Sequence, residues 1–241
     1  MILTGRDLKK LEALKAELIA ADQKPEGLVE RDTIQIECIV AELGKPESAR
    51  ELFDKVTALG RPIGVLVNNA GFADFGPFHE APIEKLVEML LVNVRAVTEL
   101  TRLFLPAMAE RKRGYILNVA STAAFMPGPL MAEYYATKAY VLSLSEGIRE
   151  ELKGTGVSVT CLCPGPTSTG FQERAEMGAS KLVKSGLMKP FSVALQGVHG
   201  MFRRKAIVIP GFKNKILAFI PRLMPRSIIP GIVLKAQEES H

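Results

Sequence analysis

Tryptophan is missing from this 241-residue chain, and cysteine and histidine occur three times each. Cys38, Cys161 and Cys163 are odd in number and sit inside apolar runs, so they read as buried thiols of a reducing compartment and not as a disulfide framework. His79, His199 and His241 lie far apart without cysteine or carboxylate partners at ligand spacing, so no metal site is expected. Long apolar runs are missing too. No stretch of about 18 residues escapes a charge or a proline, which argues against a transmembrane span. The N-terminus meets charge at Arg6, too early for a signal peptide, and a cytoplasmic location is the expectation. Charge of one sign is scarce: the net value is +5, and the charges are interspersed over the first two hundred residues, leaving no basic stripe for a nucleic acid.

What the chain does have is 47% hydrophobic residues against 24% charged, too apolar a mixture for disorder. A chain of this length can bury about 70–75% of the surface its unfolded form exposes. Leu8, Leu11, Leu14 and Leu18 recur at helical spacing, and a strand-like stretch, Ile34 to Ala41, follows a polar loop. The rhythm repeats with a helix face of Ala49, Leu52, Phe53, Val56 and Leu59, then an apolar run from Ile63 to Val67 that ends in Asn68. A long helix from about Pro82 carries the stripe Leu86, Leu90, Asn93, Val97, Leu100 and Phe104. Tyr115 to Ala120 reads as a strand, Tyr134 to Leu152 as a helix, and Val157 to Cys163 and Ala206 to Ile209 as two more strands. Continuous apolar strands alternating with amphipathic helices predict a doubly wound parallel sheet covered on both faces, a three-layer α/β/α fold. No composition break marks a linker and no internal repeat is visible, so residues 1–241 read as one domain.

Ligands of such sheets sit beyond the carboxyl ends of the strands. Those ends here are Asn68-Asn69-Ala70-Gly71, Ser121-Thr122 and Pro164-Gly165-Pro166-Thr167-Ser168-Thr169, all small, polar or glycine-bearing. In the helix after the fourth strand, Tyr134 and Lys138 are four apart and share a face. A nearby ammonium favours a phenolate, so the pair makes a usable general acid; Tyr135, three residues from the lysine, competes for the role. Ser121 precedes Tyr134 by thirteen residues at a strand end, so the two hydroxyls can face one cleft. Asn93 interrupts an apolar stripe, where an unpartnered amide would cost on the order of 1–3 kcal/mol.

In this order and spacing, Asn68-Asn69-Ala70-Gly71, Asn93, Ser121, Tyr134 with Lys138, and Pro164-Gly165 with Thr169 resemble the classical short-chain dehydrogenase/reductase family. The resemblance covers nearly the whole chain and implies a Rossmann-type oxidoreductase with a Ser-Tyr-Lys-Asn catalytic set. It implies that Tyr134 exchanges the proton of the substrate oxygen, that Ser121 hydrogen-bonds that oxygen, and that Lys138 lowers the tyrosine pKa and holds the nicotinamide ribose. Asn93 would anchor a water-linked proton path to Lys138. By the same resemblance Asn68, Ala70 and Gly71, with Glu42 and Leu43, line the adenosine side of the cofactor. Pro164, Gly165, Thr167 and Thr169 line the nicotinamide side. Gly5 stands at the position where an NAD enzyme has a carboxylate, and Arg6 follows it, so NADP is the cofactor expected.

The family's loop T-G-x-x-x-G-x-G is not found in the sequence, and Met1 to Gly5 resembles the family's second strand. The expectation is a chain without the first βα unit, with weakened pyrophosphate binding and two open edges at the sheet centre. A noncatalytic Rossmann-like scaffold is the alternative from another class. Residues 171–205 read as a lid or a surface loop over a small-molecule carbonyl or alcohol. Residues 213–241 mix apolar clusters with Lys213, Lys215, Arg222 and Arg226; they suit either a membrane interface or packing at the substrate mouth or a subunit neighbour. Similar tails in reductases of the family suggest an apolar, lipid-like substrate, and a homo-oligomer is expected.

Overall fold

A computed structural model describes residues 1–22, 34–171 and 187–237. The chain divides into two compact units, Met1–Pro62 and Ile63–His241. In the first, β1 (Ile2–Gly5) and β2 (Glu37–Val40) pair in parallel with Ile2 opposite Glu37 and Gly5 opposite Val40. Helix α1 (Leu8–Asp22) starts where the Asp7 carboxylate accepts from the Lys10 amide at 3.2 Å, satisfying an otherwise orphaned N-terminal donor. Of the leucine stripe expected to face inward, Leu11 is buried while Leu8 and Leu14 are exposed. Helix α2 (Ser48–Thr57) buries Ala49, Leu52 and Val56 as its spacing predicts.

The second unit carries four parallel strands in the order β3 (Val65–Asn68), β4 (Gly114–Val119), β5 (Val157–Leu162) and β6 (Ile207–Val208). Successive residues of β5 point to opposite faces. Cys161 and Cys163 pack with Val97, Ala120, Val141 and Leu142 on one side, and Leu162 packs with Leu117, Val193 and Met201 on the other. Helices α4 (Ala96–Glu110) and α5 (Ala132–Glu151) supply the first side and α6 (Pro190–Phe202) the second, which makes three layers, α/β/α. Helix α6 lies close because of its glycines: a Cβ at Gly200 would stand 2.2 Å from Val208, and one at Gly197 would stand 2.7 Å from Leu162. Among the described residues β3 is an edge strand of this sheet, and Val65 and Val67 on it are exposed.

The long helix expected from Pro82 is three elements: α3 (Ile83–Leu90), one π turn (Leu91–Arg95) and α4. The extra residue of the π turn shifts the phase of the buried face. Met89 is therefore buried and Leu90 exposed, whereas Asn93, Val97, Leu100 and Phe104 remain inside. The chain ends in two short helices, α7 (Phe212–Phe219) and α8 (Ile229–Gln237). No described helix is long and apolar enough to cross a membrane, and no described cluster of His, Cys, Asp and Glu could hold a metal. Part of the expected 171–205 lid, residues 172–186, lies outside the described residues.

Candidate active site

β4 runs out at Val119, and Ser121 then caps a short 3-10 turn (Thr122–Phe125), its hydroxyl accepting from the Ala123 amide at 3.1 Å. The same hydroxyl donates to the Pro164 carbonyl at 3.4 Å, and it lies close enough to the Tyr134 phenol on the first turn of α5 to act against the effect of that group's burial. One turn later on α5, Lys138 is buried and its ammonium donates to the Val119 carbonyl at 2.9 Å, 5.7 Å from the Tyr134 ring centroid. The neighbouring phenol takes another direction: Tyr135 accepts from Gln237 of α8 at 2.6 Å. The structure therefore joins Ser121, Tyr134 and Lys138 and turns Tyr135 to the C-terminal helix.

The resemblance implies a tyrosine pKa lowered by the lysine; the structure gives the opposite direction. Burial raises the Tyr134 pKa, and the Ser121 hydroxyl opposes that only in part. The Lys138 ammonium donates to the Val119 carbonyl and stands 5.7 Å from the ring centroid. A phenol held neutral is suited to give a proton to a developing alkoxide. Burial also lowers Lys138 to about 8, with Cys161 and Cys163 acting against it.

That shift has a sign in stability. Between pH 8 and the ordinary lysine value of 10.5, the unfolded chain protonates Lys138 and the folded chain does not. The unfolded state then binds more protons, and this residue's contribution rises with pH through the window, by up to about 1.4 kcal/mol per pH unit. The raised pKa values of Cys163, Tyr134 and Tyr135 pull the other way at high pH, so the contribution is isolated as a difference. The urea stability of the wild type minus that of Lys138→Met should climb from pH 8 to 10.5; a flat difference would show a lysine that is charged and solvated in the folded state.

Asn93 projects from the π turn into the core, and its amide is fully employed. Its Oδ1 accepts from the Phe72 amide at 3.1 Å, and its Nδ2 donates to the Phe72 carbonyl at 2.9 Å and to Thr137 Oγ1 at 3.1 Å. Thr137 in turn donates to the Tyr134 carbonyl at 2.8 Å. Both Asn93 amide protons are used on protein, so it pins the strand end at Gly71-Phe72 to α5. A Cβ at Gly71 would come within 3.1 Å of Asn93 Oδ1 and 3.3 Å of Lys138 Nζ; glycine keeps this lip low, and Ala70 beside it is exposed.

Asn68 turns its amide nitrogen into the protein. Its Nδ2 donates to Asn118 Oδ1 at 2.8 Å and Thr101 Oγ1 at 3.1 Å, and Asn118 Nδ2 continues to Ser145 Oγ at 2.9 Å. This buried amide chain ties β3, β4, α4 and α5 together and commits the Asn68 Nδ2 to the protein. At the end of β5, the Pro164 carbonyl accepts from the Thr122 amide at 2.8 Å and Thr167 Oγ1 donates to the Gly165 carbonyl at 2.9 Å. Thr169 is exposed one turn further on. In the first unit, Arg6 is exposed, Glu42 pairs with Lys45 at 3.1 Å, and Leu43 is half-buried after β2.

Thr137, Asn118 and Ser145 were not legible as site-supporting groups, because each is a small polar residue inside an otherwise apolar element. Two carboxylates near Tyr134 also went unseen. Asp74 pairs with Lys85 at 2.5 Å, and Glu133, its Oε2 buried without a partner, has its pKa raised by burial and then by Asp74. They share with Leu86, Met89, Met131 and Tyr134 a cavity of about 20 Å³. The Phe171 ring covers that of Tyr134 at 5.3 Å between centroids.

Parallel strands, helices on both faces and a Ser-Tyr-Lys cluster where two strands end define a Rossmann-type α/β protein. The short chain dehydrogenase model matches residues 4–179, and the chain belongs to that family. It is 30% identical to the very-long-chain 3-oxoacyl-CoA reductase of Anas platyrhynchos over 90% of this chain and 69% of the relative. It is 39% identical to an NADP-dependent 3-hydroxy acid dehydrogenase of Salmonella typhi, over 68% of this chain and 61% of that one. Its fold is similar to that of a short-chain dehydrogenase from Sphingobium yanoikuyae solved in complex with NADPH, with a TM-score of 0.76 and 28% identity, covering 88% and 78% of the two chains. Several curated relatives are matched over only half to two thirds of their own length, for instance 49% and 60%.

Proposed function

We propose that the protein transfers a hydride between NADP(H) and a carbonyl or secondary alcohol on an apolar, acyl-like substrate. The observation that carries this reading is the clustering of Ser121, Tyr134 and Lys138, with the Tyr134 phenol kept protonated by burial and Lys138 one turn behind it. The nicotinamide would supply the hydride. Tyr134 gives or takes the proton at the substrate oxygen, Ser121 orients that oxygen, and Lys138 holds the ribose. The low lip at Ala70 and Gly71 and the small residues Pro164, Gly165, Thr167 and Thr169 suit close approach of a dinucleotide. Asn93 acts by holding Phe72 and Thr137 in place. The cavity beside Tyr134 holds no more than a water and carries Asp74 and Glu133 as well as Leu86, Met89 and Met131. The choice of an acyl-like substrate is supported instead by the relatives named for 3-oxoacyl and 3-hydroxy acid substrates.

The test is NADPH oxidation with 3-oxoacyl thioesters and plain ketones of increasing chain length. Turnover that improves with chain length is the expected result, and no oxidation of any carbonyl would overturn the reading. Arg6 is proposed to grip the 2′-phosphate, which a guanidinium can hold bidentately. Arg6→Ala should therefore raise the Kd of NADPH about tenfold or more, as loss of one charge-assisted contact does, and leave NADH little changed. Equal losses for both cofactors in a titration would show that Arg6 is structural.

A further inference from the structure

Although charge is interspersed through most of the chain, Met177 to Gln237 contains no Asp or Glu and eleven Lys or Arg. Helix α7 lies within that segment. Its Ala218 is buried, and Asn214 on the same side donates to the Pro210 carbonyl at 2.7 Å, so this side faces the protein. The opposite side, facing water, is apolar: Phe212, Ile216 and Phe219 fall at spacings of four and three and are 77%, 44% and 54% exposed. Leu223, 72% exposed, follows the short 3-10 turn Ile220–Arg222. At about 100° per residue, Lys213 and Lys215 flank this stripe on its two sides. Lys215 and Arg222 also rim a groove of about 290 Å³ floored by Phe125, Ile207, Ile209 and Phe219.

A helix on a water-facing surface ordinarily turns its polar side outward. Here the outward side is aromatic and aliphatic with cations at its margins, and among the described residues none of Lys213, Lys215, Arg222 and Arg226 has a carboxylate partner. We infer that α7 and the turn to Leu223 form a docking surface for an anionic lipid bilayer, Phe212, Ile216, Phe219 and Leu223 entering the headgroup boundary and the flanking cations meeting lipid phosphates. Long basic side chains extend alongside an inserted apolar stripe without being buried themselves. A second copy of the chain fits this surface poorly. An isologous contact sets each patch against itself, so Lys213, Lys215 and Arg222 would face their own equivalents with no acidic residue of the segment between them. An anionic bilayer offers the opposite sign. Helix α6 also exposes an apolar stripe, Phe191, Leu195, Val198 and Phe202, but its cations stand at its two ends, Lys189 and Arg203, and not along the stripe, so it is not part of the surface.

The test is co-sedimentation with vesicles of phosphatidylglycerol and phosphatidylcholine mixed, against vesicles of phosphatidylcholine alone. The protein should pellet with the mixed vesicles and stay in solution with the neutral ones, and raising salt from about 0.1 to 0.5 M should release most of it. Each interfacial cation contributes about fivefold to partitioning, so the triple variant Lys213→Gln, Lys215→Gln, Arg222→Gln should bind about a hundredfold more weakly. The double variant Phe212→Ser, Leu223→Ser keeps the charge and should lose about tenfold or more from apolar insertion. Circular dichroism melting checks that both variants fold; if one does not, the single variants Lys215→Gln and Phe212→Ser replace it. Equal pelleting with both vesicle types, no pelleting with either, or full binding by the Phe212/Leu223 variant would overturn the inference. So would a dimer in vesicle-free solution that the same variant abolishes, which would assign the face to a second copy.

Discussion

Tyr134→Phe is expected to reduce turnover by about 10²–10⁴, the usual contribution of a positioned acid, while the Kd of NADPH changes little. The substitution keeps the ring that packs against Phe171 and removes the phenol hydroxyl near Ser121. Tyr135→Phe is the control. It removes the hydrogen bond from Gln237 and leaves Ser121, Tyr134 and Lys138 in place, so it should cost stability of about 1 kcal/mol or somewhat more, and little activity. Steady-state kinetics on both variants decides: a dead Tyr135→Phe beside an active Tyr134→Phe would mean that the structure pairs Ser121 with the wrong phenol. The pH dependence adds a check. Because burial raises Tyr134 above the ordinary value near 10, the reductive rate should not fall at pH 8–9 through loss of its proton.

Periodicity was sufficient for the strands and for α2, α4 and α5 because it records which side of each one is buried. Residues 190–202, read as part of a lid or surface loop, instead form α6 and pack on the sheet. The strands at Val65, Gly114, Val157 and Ile207 match the predicted runs to within a residue or two at each end, and α5 lies where its apolar face places it. Three features were hidden for separate physical reasons. The π turn adds one residue to a helix without altering local composition, so the face predicted at Leu90 passes to Met89 while Asn93 stays inside. The buried polar positions Thr137, Lys138 and Ser145 on α5 interrupt its stripe, and the groups that satisfy them, Asn93, the Val119 carbonyl and Asn118, come from distant segments. Spacing alone cannot supply those pairings. In α1, equally periodic leucines differ in burial because the two-stranded sheet of its unit covers little of the helix, and Leu11 alone is enclosed. Within the candidate site, Ser121, Tyr134 and Lys138 were readable from order and spacing, whereas the direction of the tyrosine shift depends on burial, which no motif encodes.

Asn93→Leu is expected to lower unfolding stability by about 2–6 kcal/mol, a large share of the 5–15 kcal/mol typical of a domain. Leucine fills a similar volume but removes the two hydrogen bonds that Asn93 makes to the buried Phe72 backbone, each worth on the order of 1–3 kcal/mol. Thr137 is spared, since it still donates to the Tyr134 carbonyl. The urea midpoint should fall with an unchanged slope, because the surface exposed on unfolding stays the same. Asn93→Asp separates the two halves of the amide's role. An ionised carboxylate can accept from the Phe72 amide but cannot donate to its carbonyl, and burial would raise its pKa above the unfolded value. The folded state then binds the proton more tightly, so this variant should be most stable at acidic pH, where its carboxyl can donate to Phe72, and should weaken as pH rises through the raised pKa. If Asn93→Leu instead kept its full stability and lost only activity, Asn93 would act on the chemistry and not by joining the Gly71-Phe72 strand end to the helix that carries Tyr134.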